Sequence, residues 1–330
     1  MPERATPSTA KVVAAFAAVY VIWGSTYLAI LFAIETLPPL LMAGVRFLAA
    51  GAVLYAFLRL RGQPAPERRH WRSALVIGGL LLLCGNGGVV LAERTVPSGV
   101  AALLVAMVPL WMVLLDWLRT GGVKPAKRTW VGLLVGFAGM VLLVGPGELA
   151  GGGAVDPLGA GLVMLGSVAW AFGSIYSRRA PLPSSPFVAT AMEMMSGGAL
   201  LLVAGLLRGE AAGLDPAEFS GRSLLAWGYL AVFGSLIAFS AYIWLLGVST
   251  PARVSTYAYV NPLVAVFLGW AMAGEPVTAR VLGAAAVIIL AVAVITSGRR
   301  APAVETAPPA PPAPAPGPRQ RARRPQRNAA

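Results

Sequence analysis

What most constrains this chain is a recurrence. Apolar runs of about 15–23 residues follow one another from residue 12 to residue 296, each near the length that crosses a lipid hydrocarbon core. Ten such runs read as spans: 12–34, 40–58, 74–92, 99–118 and 129–144, then 158–176, 187–207, 224–246, 254–273 and 277–296. The fifth is short and Gly-rich. Only 12% of the residues are charged and 57% are hydrophobic, whereas a soluble domain carries about a quarter charged residues. A water-facing surface cannot be built from so few charges over this length. In lipid a helix satisfies its own backbone hydrogen bonds, so the sequence predicts an all-α membrane protein with ten transmembrane helices. The first run exceeds the roughly 7–15-residue core of a signal peptide and lacks a clear small-residue cleavage site before the next span. It reads as a retained helix.

The net charge of +13 does not point to nucleic acid, because the cations sit in short clusters between the runs and in a C-terminal tail. Arg4 and Lys11 precede the first span. Arg59, Arg61, Arg68, Arg69 and Arg72 lie between the second and third, and Arg119, Lys124, Lys127 and Arg128 between the fourth and fifth. Arg178 and Arg179, then Arg253, then Arg299 and Arg300 continue the series, while the alternate loops hold only Arg94, Arg208, Arg222 and Arg280. Lys and Arg gather on the cytoplasmic side of membrane helices, so both termini are expected in the cytoplasm. The stretch GPGELAGGGAVDP, 145–157, breaks all apolar periodicity and divides the chain. The organisation read from this is a cytoplasmic N-terminal segment at 1–11, a five-helix unit at 12–146, a Gly-rich linker at 147–157, a second five-helix unit at 158–297 and a disordered Pro/Ala/Arg-rich cytoplasmic tail at 298–330.

The two units share landmarks. Trp23 and Trp170 are 147 positions apart, as are Pro39 and Pro186, Arg46 and Glu193, Gly51 and Gly198, and Arg61-Gly62 and Arg208-Gly209. Further along, Pro109 and Pro262, Trp117 and Trp270, and Gly121 and Gly274 are 153 apart. Five helices is an odd number, so a second copy must enter the membrane upside down. Two inverted five-helix repeats are a recurring architecture of secondary transporters.

Several chemistries find no support. The single cysteine, Cys84, lies in an apolar run without a ligand set around it, and the single histidine, His70, lies in a basic loop. No Gly-rich phosphate loop follows a strand pattern. No metal, no cofactor and no enzymatic activity are expected. The candidates that remain are polar or ionisable groups inside spans, where they are costly and are functional hypotheses by default. Arg46 and Glu193 each sit roughly 9 Å from their own membrane surface, on opposite sides of a core about 30 Å thick, which argues against a direct ion pair. Each has two readings, a place in the solute or proton pathway or a structural bond to a neighbouring helix. Trp23 and Trp170 fall near mid-span, far from the interfaces where tryptophan collects; lining a cavity beside Ser25, Thr26, Tyr27 and Ser174 competes with plain helix packing. Pro109 and Pro262 are candidate hinges, each freeing the carbonyl four residues earlier. Tyr257, Tyr259 and Asn261 offer polar groups near the same depth, with Asn86 and Tyr242 weaker candidates. Glu93, Asp116 and Glu275 fall near helix ends, where each is expected to reach water.

The runs WGSTYLAI from Trp23, ETLPPLLMAGVRF to Phe47, ERTVPSGVAALLVAMVPLWMVLLDW from Glu93 and TPARVSTYAYVNPLVAVFLGWAMAGEP from Thr250 resemble, in this order, the EamA-type repeat of the drug/metabolite transporter superfamily. The resemblance covers about residues 12–297. It implies a central cavity walled by helices 1–4 and 6–9, helices 5 and 10 at the periphery, a bacterial inner-membrane location, and export or exchange of a small metabolite or drug-like solute. Proton coupling stays open, as do a channel or passive facilitator and a non-transporting scaffold. The expected partners are a small-molecule substrate, protons on the coupled reading, and the lipid bilayer.

Overall fold

The structure, a computed structural model, describes residues 8–118, 127–144, 155–248 and 257–296. Every regular element among them is helical. The first half holds α1 (Thr9–Ala33), α2 (Pro39–Leu60), α3 (Arg68–Gly78), α4 (Gly87–Ala92), α5 (Ser98–Val105), α6 (Val108–Leu118) and α7 (Lys127–Val144). The second holds α8 (Pro157–Ser177), α9 (Pro186–Leu207), α10 (Gly221–Tyr229), α11 (Phe239–Val248), α12 (Tyr257–Ala273) and α13 (Ala279–Thr296). A π-helical segment, Gly79–Asn86, joins α3 to α4 into one continuous helix, and another, Leu230–Ala238, joins α10 to α11.

Six helices are long and apolar enough to cross a membrane, at 9–33, 39–60, 68–92, 157–177, 186–207 and 221–242. The fourth, fifth, ninth and tenth apolar runs contribute shorter apolar helices. Within the fourth, the chain turns at Ala106–Met107, two residues before Pro109, and restarts as α6. The third begins earlier than its apolar run suggests. Glu67 and His70 form a reciprocal cap, with Glu67 N–H donating to His70 Nδ1 at 3.2 Å, so His70 sits in a first helical turn rather than in a loop. Large apolar side chains stand exposed around the outside, Phe57, Leu134, Leu165, Phe172, Leu225 and Phe267 among them. An apolar exterior of this extent suits lipid and not water.

The punctuation of α2 and α9 repeats. Each starts with proline as its first residue, where the missing N–H has no helical partner to lose. Each is followed by a glycine in the left-handed region, Gly62 at φ 81° and Gly209 at φ 76°. The two helices cross face to face, and the approach is too close for side chains. A methyl group at Gly51 would lie 2.8 Å from the Ala191 carbonyl oxygen and from the Met195 nitrogen. At Gly198 it would lie 2.5 Å from the Leu48 nitrogen and 2.9 Å from the Gly44 oxygen. Gly44 meets Leu202 while Gly51 meets Ala191, so the helices run in opposite directions. Elsewhere α1 packs on α12 and on the α10–α11 helix, α8 packs on α5, α6 and the α3–α4 helix, and α7 packs on α13.

Candidate functional site

The helices line a cavity of about 150 Å³. From α1 it receives Trp23, Thr26, Tyr27 and Ile30, and from the second helical run Gly85, Asn86 and Val89. The junction of α5 and α6 supplies Val105 at the end of α5, Ala106 in the turn and Pro109 at the start of α6. Gly166, Ser167 and Trp170 come from α8, and Tyr257, Asn261 and Pro262 from α12. Trp23, Asn86, Pro109, Trp170, Tyr257, Asn261 and Pro262, all singled out in the sequence, therefore meet at one place, although they come from five separate helical runs.

The two tryptophans are held by the π-helical segments. Trp23 Nε1–H donates to the Gly234 carbonyl at 3.2 Å, and its ring packs against Tyr242 and Tyr257 with centroids 5.0 and 5.3 Å away. Trp170 leans on Gly85, where a methyl group would come within 2.9 Å of its ring. Gly234 and Gly85 each lie in a π-helical segment of the opposite half. A π turn shifts carbonyls out of the ordinary i→i+4 register and is concentrated at functional sites. Ser235 Oγ–H, for example, reaches the Leu230 carbonyl five residues back at 3.2 Å. Asn261 is buried, and the orientation its neighbours demand lets the amide donate to the Tyr20 and Tyr257 carbonyls, both at 3.2 Å.

Asn86 connects the cavity to Arg46. Arg46 is buried, does not line the wall, and donates from Nη2 to Asn86 Oδ1 at 3.0 Å, with its guanidinium 4.1 Å over the Phe47 ring. Glu193 is half-buried and also lies off the wall, on the stretch of α9 that crosses Gly78 of α3. It makes no hydrogen bond or ion pair with a described residue. The Tyr259 side chain lies outside the described residues, as does that of Asp116. The two prolines behave differently. Pro109 is the second residue of α6, just after the break, whereas Pro262 stands inside an uninterrupted α12. Ser25 turns from the cavity to Tyr229, 2.6 Å away, and Ser174 bonds back to the Trp170 carbonyl at 2.7 Å.

Of the helix-end acids, Glu275 is partly exposed and also serves as a cap, whereas Glu93 departs from the expectation that it reaches water. Glu275 accepts from the Ser98 and Gly99 amides at 2.7 and 3.1 Å, and so caps the start of α5 from the other half. Glu93 is only 2% exposed, because the turn after α4 folds it inward, and neither of its oxygens has a partner. Ser167 was missed altogether; it is buried on the cavity wall with Oγ unpartnered. Its position one helical turn before Trp170 was the available signal. At the surface, Asp156 caps α8 and accepts from Thr95 Oγ at 2.8 Å. That hydroxyl, with the Gly159 amide, holds its carboxyl below the ordinary 3.8.

Both halves of the chain, residues 10–145 and 157–297, match the EamA-like transporter family. The chain belongs to that family. It is 47% identical over 283 residues to the inner membrane transporter YedA of Escherichia coli K12, covering 86% of this chain and 89% of that one. The transporter YvbV of Bacillus subtilis is 23% identical over 85% of this chain and 90% of its own. A crystal structure shares the fold with a TM-score of 0.58 at 23% identity, covering 87% of this chain and 96% of the other. The protein is a multi-pass membrane transporter of this family and not an enzyme.

Proposed function

We propose that the protein is a secondary carrier that moves a small solute across the inner membrane by alternating access, with the cavity as its binding site. The observation that carries this reading is the convergence of Trp23 with Trp170 and of Pro109 with Pro262, landmarks of both halves, on one cavity. On this reading the two halves are inverted repeats of five spans each, divided at the 147–157 linker, with both termini cytoplasmic. The antiparallel crossing of α2 and α9 through Gly51 and Gly198 supports the inversion, since its contacts correspond at the 147-residue offset. Matching π-helical segments in corresponding helices support it too.

The wall carries aromatic rings and neutral hydrogen-bonding groups, and among the described residues none that lines it is charged. It suits a small metabolite with an apolar or planar body and a few polar atoms better than a large drug. Asn86, Asn261, Ser167 and Tyr257 would orient the solute, and Arg46 would position Asn86. Tyr259 and Glu193 stay candidates for the pathway, Glu193 as a half-buried carboxylate able to take a proton. Counterflow in proteoliposomes tests the carrier. Solutes would first be found by a growth-protection and efflux screen with the protein overproduced. Labelled solute should accumulate against an unlabelled load; equilibration without overshoot would indicate a passive facilitator.

A further inference from the structure

Asn86, Val89 and Glu93 share one face of the third helical run, and the Glu93 amide continues the helical turn by donating to the Val89 carbonyl at 2.9 Å. The first two line the cavity. Glu93 lies one turn beyond, buried, with both carboxyl oxygens unpartnered. Each element around it brings a polar group. From α2 comes Arg46, whose Nη2 is engaged by Asn86 but whose buried Nε has no partner. From α1 comes Tyr27, a cavity residue. The segment after α12 brings Glu275, a like charge already engaged at the start of α5, and α5 itself brings Ser98 with its Oγ buried and unpartnered. A buried carboxylate without hydrogen bonds is a costly state, and a half-satisfied network calls for an explanation.

We propose that Glu93 is the proton-exchanging carboxyl coupled to the cavity, with Arg46 as its counter-charge; this deepens the carrier reading and rests on it. With its proton bound, Glu93 is neutral and tolerates its orphaned position. On losing it, the carboxylate turns toward Arg46 Nε, and the shift is felt at the wall through Asn86, which Arg46 holds, and through Tyr27. Two bonding arrangements of one cluster thereby correspond to two states of the cavity edge. Glu193 has no such surroundings.

The test is infrared difference spectroscopy of the full chain in lipid nanodiscs across a pH titration, following the carbonyl stretch of protonated carboxyl groups. Wild type should show a titrating band that disappears in Glu93→Gln and persists in Glu193→Gln. Arg46→Met should move its midpoint to higher pH, because the favourable cation is gone. A full band in Glu93→Gln, or its loss in Glu193→Gln, overturns the assignment. If Glu93→Gln fails to yield monodisperse protein, Glu93→Asp and Arg46→Met carry the test, and a wild-type band position and midpoint in both overturns it. Counterflow separates the two levels. A band that depends on Glu93 in a protein that never shows counterflow leaves the proton site standing and removes the carrier. Counterflow with an unchanged band in Glu93→Gln does the reverse.

Discussion

At the scale of single residues, equivalent positions do unequal work. Trp23 and Trp170 are landmarks of the two halves, yet among the described residues Trp23 alone of the pair donates its indole N–H to a protein carbonyl, that of Gly234. Trp23→Phe removes a donor and leaves a buried π-helical carbonyl short of a partner, which costs about 1–3 kcal/mol. Trp170→Phe keeps the ring against Gly85 and loses no such bond. Thermal unfolding in detergent should therefore place Trp23→Phe clearly below Trp170→Phe, with the latter near wild type; equal midpoints would contradict the asymmetry. The sequence brought both tryptophans to mid-membrane depth but could not distinguish them, because the difference resides in which carbonyl of a distant helix faces each ring. Glu93 marks the same limit. Its place at the end of an apolar run suggested water, and only the fold of the following turn buries it.

Among elements, the crossing of α2 and α9 is the contact most exposed to test. Gly51 and Gly198 allow backbone to approach backbone, which is how helices associate in lipid without a hydrophobic driving force. Gly51→Leu and Gly198→Leu should each destabilise the protein by about 1–3 kcal/mol or more through overpacking, and to similar extents because the contacts correspond. Yield of monodisperse protein and the thermal midpoint are the readouts. Gly161→Leu, at a position with open space around it, serves as the control and should be nearly silent. The π-helical segments belong to this scale as well. No sequence signal announced them, since Gly79–Asn86 and Leu230–Ala238 are apolar runs like any other; the indole of Trp23, from a distant helix, takes up the Gly234 carbonyl of the second.

For the molecule as a whole, the testable quantity is topology. Cytoplasmic reporters fused after Arg69, Arg128 and Arg300 should be active, and periplasmic reporters should be active near Gly151, as the distribution of Lys and Arg demands. A periplasmic signal at the C-terminus would remove the inverted arrangement. Truncation after Arg300 should leave insertion and transport close to wild type, because residues 301–330 contain no apolar run to bury and Arg299 and Arg300 remain to set orientation. A truncated protein that inserts normally but no longer transports would assign the tail an active part.

The sequence by itself determined the solvent and the plan. Long uncharged runs can be stable only in lipid, and the shared landmarks from Trp23/Trp170 to Pro109/Pro262 display the two halves. These signals are local, since run length and spacing need no knowledge of partners. Tertiary structure decided which landmarks meet, and it gathered Trp23, Asn86, Pro109, Trp170, Tyr257, Asn261 and Pro262 around one cavity while leaving Arg46 behind the wall and Glu193 off it. It also buried Glu93 and turned Glu275 into a helix cap. Those outcomes depend on how each helix rotates about its axis against its neighbours. In a helix that is apolar on nearly every side, no stripe in the sequence fixes that rotation; close contacts such as Gly51 on Met195 do.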